Sequence, residues 1–162
     1  MISNESNIVH MPELRRATQG EEEKILELVK KVLAMYGLET DPSETDSDLS
    51  DLNKYYFENN GWFAVIEYHG EIIGSYGLFQ IDKNVCELRK MYLSPGHQGK
   101  GLGKMMMADF INKAKELGYS EVILETNTRL DKAIGLYEKY GFVGFEPPHL
   151  SARCDYGMRR KL

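Results

Sequence analysis

The stretch VCELRKMYLSPGHQGKGLGK, residues 85–104, decides how this chain folds. Its first nine residues read as a β-strand, and Ser94-Pro95-Gly96 stops it. Three glycines, Gly99, Gly101 and Gly103, then fall within residues 97–104. From Gly101 the pattern turns helical: Met107, Phe110, Ile111, Ala114 and Leu117 share one face, and Gly118 closes it. A strand that feeds a glycine-rich turn at the head of a helix aims backbone N–H groups and the positive helix end at one place. Glycines let a phosphate approach the backbone, and Lys100 and Lys104 add positive charge. A phosphate-bearing ligand is the physical expectation. The common nucleotide loops do not fit. Leu102 and Gly103 stand where a Walker A loop needs Lys and Ser/Thr, and Met106 stands where a dinucleotide fingerprint needs its third glycine.

Outward from this junction, residues 62–68 and 72–80 read as a hairpin about the turn His69-Gly70, with 85–93 as the next strand. Residues 14–17 suit a short strand. Thr18 and Glu21 have capping-box spacing, ahead of Ile25, Leu28, Val29, Val32 and Leu33 on one helical face that ends at Gly37. Residues 39–51 carry six acids and no base and read as a loop or a mobile helix approach. Leu52, Tyr55 and Tyr56 suggest a short second helix. Beyond Gly118, residues 121–127 read as a strand, 132–140 as a helix, and 142–145 and 153–159 as closing strands. This order is α+β (mixed α/β), not a regular βα alternation.

With 162 residues and 42% hydrophobic content, the chain suits one domain. Residues 1–12 are expected to form a flexible N-terminal tail and 13–162 the domain. Cys86 and Cys154 are too few for a disulfide framework, and no Cys/His spacing suggests a metal site. With no signal-peptide core and no apolar run of membrane-spanning length, no membrane association is expected and the cytoplasm is the expected compartment. A net charge of −5 argues against a nucleic-acid partner. The charge is uneven: residues 1–60 hold 13 acids and 6 bases, and residues 61–162 hold 12 acids and 14 bases. The C-terminal part therefore suits an anionic ligand and the N-terminal part a cationic one, unless both are simply solvated faces.

Residues 98–103, QGKGLG, match the Q/R-x-x-G-x-G/A motif of the GNAT acetyltransferases. CELRKMYLSP at 86–95 resembles that family's central strand, and AIGLYEKYGF at 133–142 resembles its A-x-x-L-Y-x-x-x-G-F segment. The resemblance spans residues 14–162 and is sharpest over 86–142. It implies a mostly antiparallel central sheet of six to seven strands, splayed at its middle and flanked by about four helices. It implies acetyl-CoA as cosubstrate, without a metal, its pyrophosphate gripped by Gln98, Gly99, Lys100, Gly101, Leu102, Gly103 and Lys104. Backbone N–H groups at Met91, Tyr92 and Leu93 would receive the thioester carbonyl and the pantetheine arm along an edge opened by a β-bulge.

Acetyl transfer needs a base for the amine, a hold on the oxyanion and a proton for the thiolate. Glu87, on the strand before the loop and flanked by Cys86 and Leu88, is the expected base, at the position of the catalytic glutamate in some members of the family. Pairing with Arg89 is its plainer alternative, and Glu125 competes for the role. Tyr137 falls at the family's thiolate-protonating tyrosine. Leu130 replaces an asparagine that many members use on the pantetheine arm, which leaves Asn127 as a substitute. Tyr36, Glu39, Asp41, Tyr55, Tyr56 and Tyr156 offer acids and aromatics for a cationic amine acceptor. Edge strands near the C-terminus could pair in a homodimer. The rival reading is a non-catalytic CoA-binding regulatory module of the same fold.

Overall fold

The structure, a computed structural model, describes residues 11–162. Most of the expected tail therefore lies outside the described residues; Met11 is exposed.

Strand β1 (Glu13–Arg16) leads to helix α1 (Glu22–Ala34). A 3₁₀ turn (Ser47–Ser50) and the short helix α2 (Leu52–Tyr55) follow. Strands β2 (Trp62–Tyr68), β3 (Glu71–Gln80) and β4 (Val85–Leu93) form a meander. Helix α3 (Leu102–Glu116), strand β5 (Glu121–Thr126), helix α4 (Asp131–Lys139) and strands β6 (Val143–Phe145) and β7 (Tyr156–Lys161) complete the order. The strands make one seven-stranded sheet in the order β1-β2-β3-β4-β5-β7-β6. All pairings are antiparallel except β4 with β5.

The sheet is buried on both faces, so its central strands alternate between two cores rather than between core and water. Along β2, Phe63 and Val65 pack with Ile25, Val29 and Leu33 of α1, while Ala64 and Ile66 pack with Met107 and Phe110 of α3. The period of 2 survives because each face has its own helical layer.

Strand ends set up the site. β4 and β5 pair only from Val85 to Glu87 against Glu121 to Ile123, and then part. From Leu88 onward the β5-facing edge of β4 has no strand beside it among the described residues. On its other edge, Gly77 pairs with Arg89 and Ser75 with Tyr92, so Tyr76 faces the two residues Lys90 and Met91. That bulge switches the alternation. Cys86 and Leu88 face the α3 core, as do Met91 and Leu93, while Phe79 beside Arg89, and Tyr92 beyond the bulge, pack on the α1 side.

At the head of α1 only half of the capping box forms. Glu21 accepts from the Thr18 N–H at 2.8 Å, but the Thr18 hydroxyl also donates to Glu21, at 2.9 Å, instead of capping the helix. The Arg15 guanidinium, at 2.8 and 2.9 Å, draws that carboxylate aside and holds its pKa down to about 2.

Candidate active site

Where β4 and β5 part, a cavity of about 700 Å³ opens. Its floor is the free part of β4, one wall is β5 and α4, the other is α1 with the acid-rich loop, and one end is the glycine loop. Of the residues expected from sequence, it gathers Glu87, Met91, Tyr92, Leu93, Gln98, Gly99, Gly101, Gly103, Lys104, Asn127 and Tyr137 into one lining, with Glu125. Lys100 and Leu102 stand outside it: Lys100 is exposed, and Leu102 packs on the α3 core.

The loop has the form its glycines suggest. Gly99 and Gly101 take φ of +78° and +82°, and Gly101 in this left-handed conformation is the N-cap of α3. No side chain among the described residues caps that helix. Its first-turn N–H groups are therefore available to an anion at the cavity mouth. Gln98 is turned inward, its Nε2 donating to the Leu93 carbonyl at 3.3 Å.

Glu87 is buried beside the bulge. Arg89, two residues on, donates from Nε to Glu87 Oε1 and stacks over the Phe79 ring at 3.7 Å. That contact engages one of the two carboxylate oxygens, Oε1. The ion pair that the plainer reading anticipated is present, but it lies inside the cavity rather than on an exposed strand. Across the gap, Glu125 has no salt-bridge partner among the described residues. Burial pushes its carboxyl above the ordinary value, and the Glu87 charge adds to the shift.

Tyr137, on α4, is buried against Phe142, and that burial raises its phenol well above the usual value. It keeps its proton at all working pH values. Asn127 lines the cavity with both ends of its amide engaged. Nδ2 donates to the Arg153 carbonyl at 2.9 Å, and Oδ1 accepts from the Arg129 N–H at 2.9 Å. Leu130 adds an apolar contact surface beside it.

Neither cysteine is poised as a nucleophile. Burial lifts the Cys86 thiol to about 12 and raises that of Cys154, which is half-buried at the cavity wall. Among the described residues no cluster of His, Cys, Asp and Glu is placed to hold a metal ion. No helix among them is long and apolar enough to cross a membrane.

Of the acceptor residues expected from sequence, Tyr36 and Tyr55 line the cavity. The others do not. Tyr56 is fully buried, with its hydroxyl on Asp48; Tyr156 borders a separate shallow depression near β6; Glu39 and Asp41 lie off the lining. Sequence reasoning missed a buried ion cluster. Lys90 meets Asp46 and Asp48, each at 3.2 Å, and Arg153 grips both oxygens of Asp46 at 2.6 and 2.9 Å. The signal was present: an acid run without a base, in a chain whose surplus bases lie downstream.

Comparison with known proteins agrees with this geometry. The family model described as the acetyltransferase (GNAT) family matches residues 29–142. The chain is 36% identical over 136 residues to YjgM of Escherichia coli (strain K12), named as an uncharacterized N-acetyltransferase, with 81% of each chain covered. A GNAT-family acetyltransferase from Staphylococcus aureus Mu50 superposes with a TM-score of 0.86 at 20% identity, covering 93% of this chain and 99% of that one. The structure of yncA from Salmonella typhimurium with its cofactor acetyl-CoA superposes with a TM-score of 0.71 at 18% identity, covering 93% of each chain. With its splayed seven-stranded sheet and its matched segment, the chain is an acyltransferase that belongs to the acetyltransferase (GNAT) family.

Proposed function

We propose that residues 13–162 act as a single unit that transfers the acetyl group of acetyl-CoA to a primary amine by direct attack. The observation that carries this is the coincidence of an uncapped helix head, a free strand edge and buried carboxylates in one cavity. The pyrophosphate would sit on the 98–104 loop at the α3 N-terminus. The pantetheine amides and the thioester carbonyl would run along the free edge of β4 at Met91, Tyr92 and Leu93. Backbone N–H groups there would take the oxyanion.

Glu87 is the base in this reading. Arg89 holds one of its oxygens and orients it, which leaves Oε2 to take the proton as the amine nitrogen attacks the carbonyl carbon. As the C–S bond breaks, Tyr137 donates a hydrogen bond to the departing sulfur. Its raised phenol makes complete proton transfer to a thiolate uphill, so hydrogen-bond donation carries the effect. A second reading places the base at Glu125, because its carboxyl is the one raised toward the working pH. Asn127 supports the loop before β7, and its bonded amide leaves the pantetheine arm to backbone groups.

The acceptor is a primary amine, and Tyr36, Tyr55, Glu44 and Glu125 around the cavity suit its cationic form. Free thiols at Cys86 and Cys154 fit a reducing compartment such as the cytoplasm. The short exposed edge β6 is where a second copy would pair. Incubation with acetyl-CoA and a panel of primary amines tests the activity. An acetylated amine by mass supports it, and CoA binding without product would leave a regulatory CoA-binding module.

A further inference from the structure

We infer that Lys90, Asp46 and Arg153 form a positioning clamp that fixes the acceptor wall of the cavity to the bulge of β4. The inference rests on the acetyl-transfer reading for its kinetic consequence, but its structural part stands on its own.

Lys90 is the extra residue of the bulge and takes φ of +53°, a conformation costly for any residue but glycine. It is also nine-tenths buried. A buried lysine in left-handed backbone needs compensation on both counts. The backbone is pinned by Ser75, whose Oγ donates to the Lys90 carbonyl at 2.7 Å. The ammonium reaches the acid-rich loop, where it meets the Asp46 and Asp48 carboxylates and donates to the Thr45 carbonyl at 3.2 Å. Asp46 accepts in turn from Arg153 and, at 2.8 Å, from the Asp41 N–H. Arg153 also donates to the Glu39 carbonyl at 3.2 Å. One buried cluster thus joins β4, residues 39–48 and the segment leading into β7.

Those parts meet around the acceptor end of the cavity. Glu44, Thr45, Ser47 and Asp48 line it from the loop, Arg153 from the segment before β7, and Lys90 from β4. Without the bulge, alternation along β4 would send residue 90 into the α3 core beside Leu88. With it, Arg89 and Lys90 fall on the α1 side in succession, one beside the base and one under the loop. The clamp thereby ties the position of the acceptor wall to the strand that carries Glu87.

Glycine at position 90 separates the two roles of the lysine. Lys90→Gly permits the positive φ and keeps the bulge, but removes the tie to the loop. We expect amide hydrogen exchange across residues 39–50 to accelerate at least tenfold, with β4 still protected. Acetyl-CoA affinity by calorimetry should stay within about threefold of the wild type. For the amine that the wild-type protein acetylates fastest, chosen from a panel of alkyl diamines, arylalkylamines and amino-acid amides, KM should rise at least tenfold more than KM for acetyl-CoA. Lys90→Arg, which restores a cation, should recover most of the loss. Unchanged exchange in 39–50 with Lys90→Gly would overturn the clamp, and so would equal losses in both KM values. If the wild-type protein acetylates no amine, the proposed activity fails, and the exchange measurement still decides the clamp.

Discussion

Glu87 and Glu125 face one cavity from opposite strands, but in different electrical surroundings. Glu87 is tethered by Arg89, while Glu125 makes no ion pair among the described residues and burial raises its carboxyl. If Glu87 is the base, Glu87→Gln should lower kcat by roughly 10²–10³-fold with acetyl-CoA affinity unchanged, and Glu125→Gln should cost less. The residual activity of Glu87→Gln should climb with pH as the free amine becomes available. Because the Glu125 carboxyl is raised, a base at that position puts the acidic limb of kcat/KM above the ordinary glutamate value of about 4.3. Loss of such a limb in Glu125→Gln, with the larger fall in kcat, would move the base there. If Tyr137 donates to the departing sulfur, Tyr137→Phe removes one hydrogen bond to a developing thiolate, worth roughly 1.5–3 kcal/mol. Single-turnover acetyl transfer should slow about 10–100-fold, with acetyl-CoA binding nearly the same. A rate equal to the wild type would leave Tyr137 as packing against Phe142.

Two elements carry the proposed binding surface, the glycine loop and the bulged strand. In the loop, Gly101 has open space where a Cβ would stand, so backbone conformation and not crowding demands glycine. Gly101→Glu should cost about 1–2 kcal/mol of stability for the left-handed backbone. It also sets a carboxylate at the mouth where the pyrophosphate would lie. Acetyl-CoA affinity should fall more than about tenfold in a protein that still unfolds cooperatively, as calorimetry and thermal melts would read. Beside the strand, Asp46 is fully buried, and Arg153 and Lys90 hold its carboxyl down to about 2 against desolvation that opposes them. A depressed carboxyl stabilises the fold above its unfolded pKa. The contribution, on the order of 2 kcal/mol, is full above about pH 5 and lost as pH falls toward 2. Asp46→Asn should therefore flatten the stability–pH curve over that window in urea titrations. It should also lower stability at neutral pH, where Lys90 and Arg153 lose their buried counter-charge. An unchanged slope would remove Asp46 from the acid response.

At the scale of the whole molecule, the layers were legible because local pattern and tertiary role agree. Residues 62–68 and 85–93 carry their strand pattern in sequence, and the α1 face from Ile25 to Leu33 shows its burial in its spacing. The loop announced itself through Gly99 and Gly101, whose positive φ only glycine takes readily. The bulge was expected only through the family resemblance, because one extra residue opposite Tyr76 changes which side Lys90 faces without changing composition. The fate of Asp46 and Asp48 did not announce itself, since they read as solvated acids until Lys90 and Arg153 are brought to them from 42 and 107 residues away along the chain. The engagement of Asn127 likewise depends on the Arg153 carbonyl, a contact that no local spacing encodes. In the proposed reading these parts share one gap in the sheet, open at once to a thioester and an amine, so that both substrates would meet without an acyl-enzyme. Initial rates of thiol release, with acetyl-CoA and an accepted amine both varied, test that most directly. Direct attack gives amine-dependent rates whose double-reciprocal lines intersect, the pattern of a ternary complex. Parallel lines, the pattern of an acetylated enzyme intermediate, would contradict it.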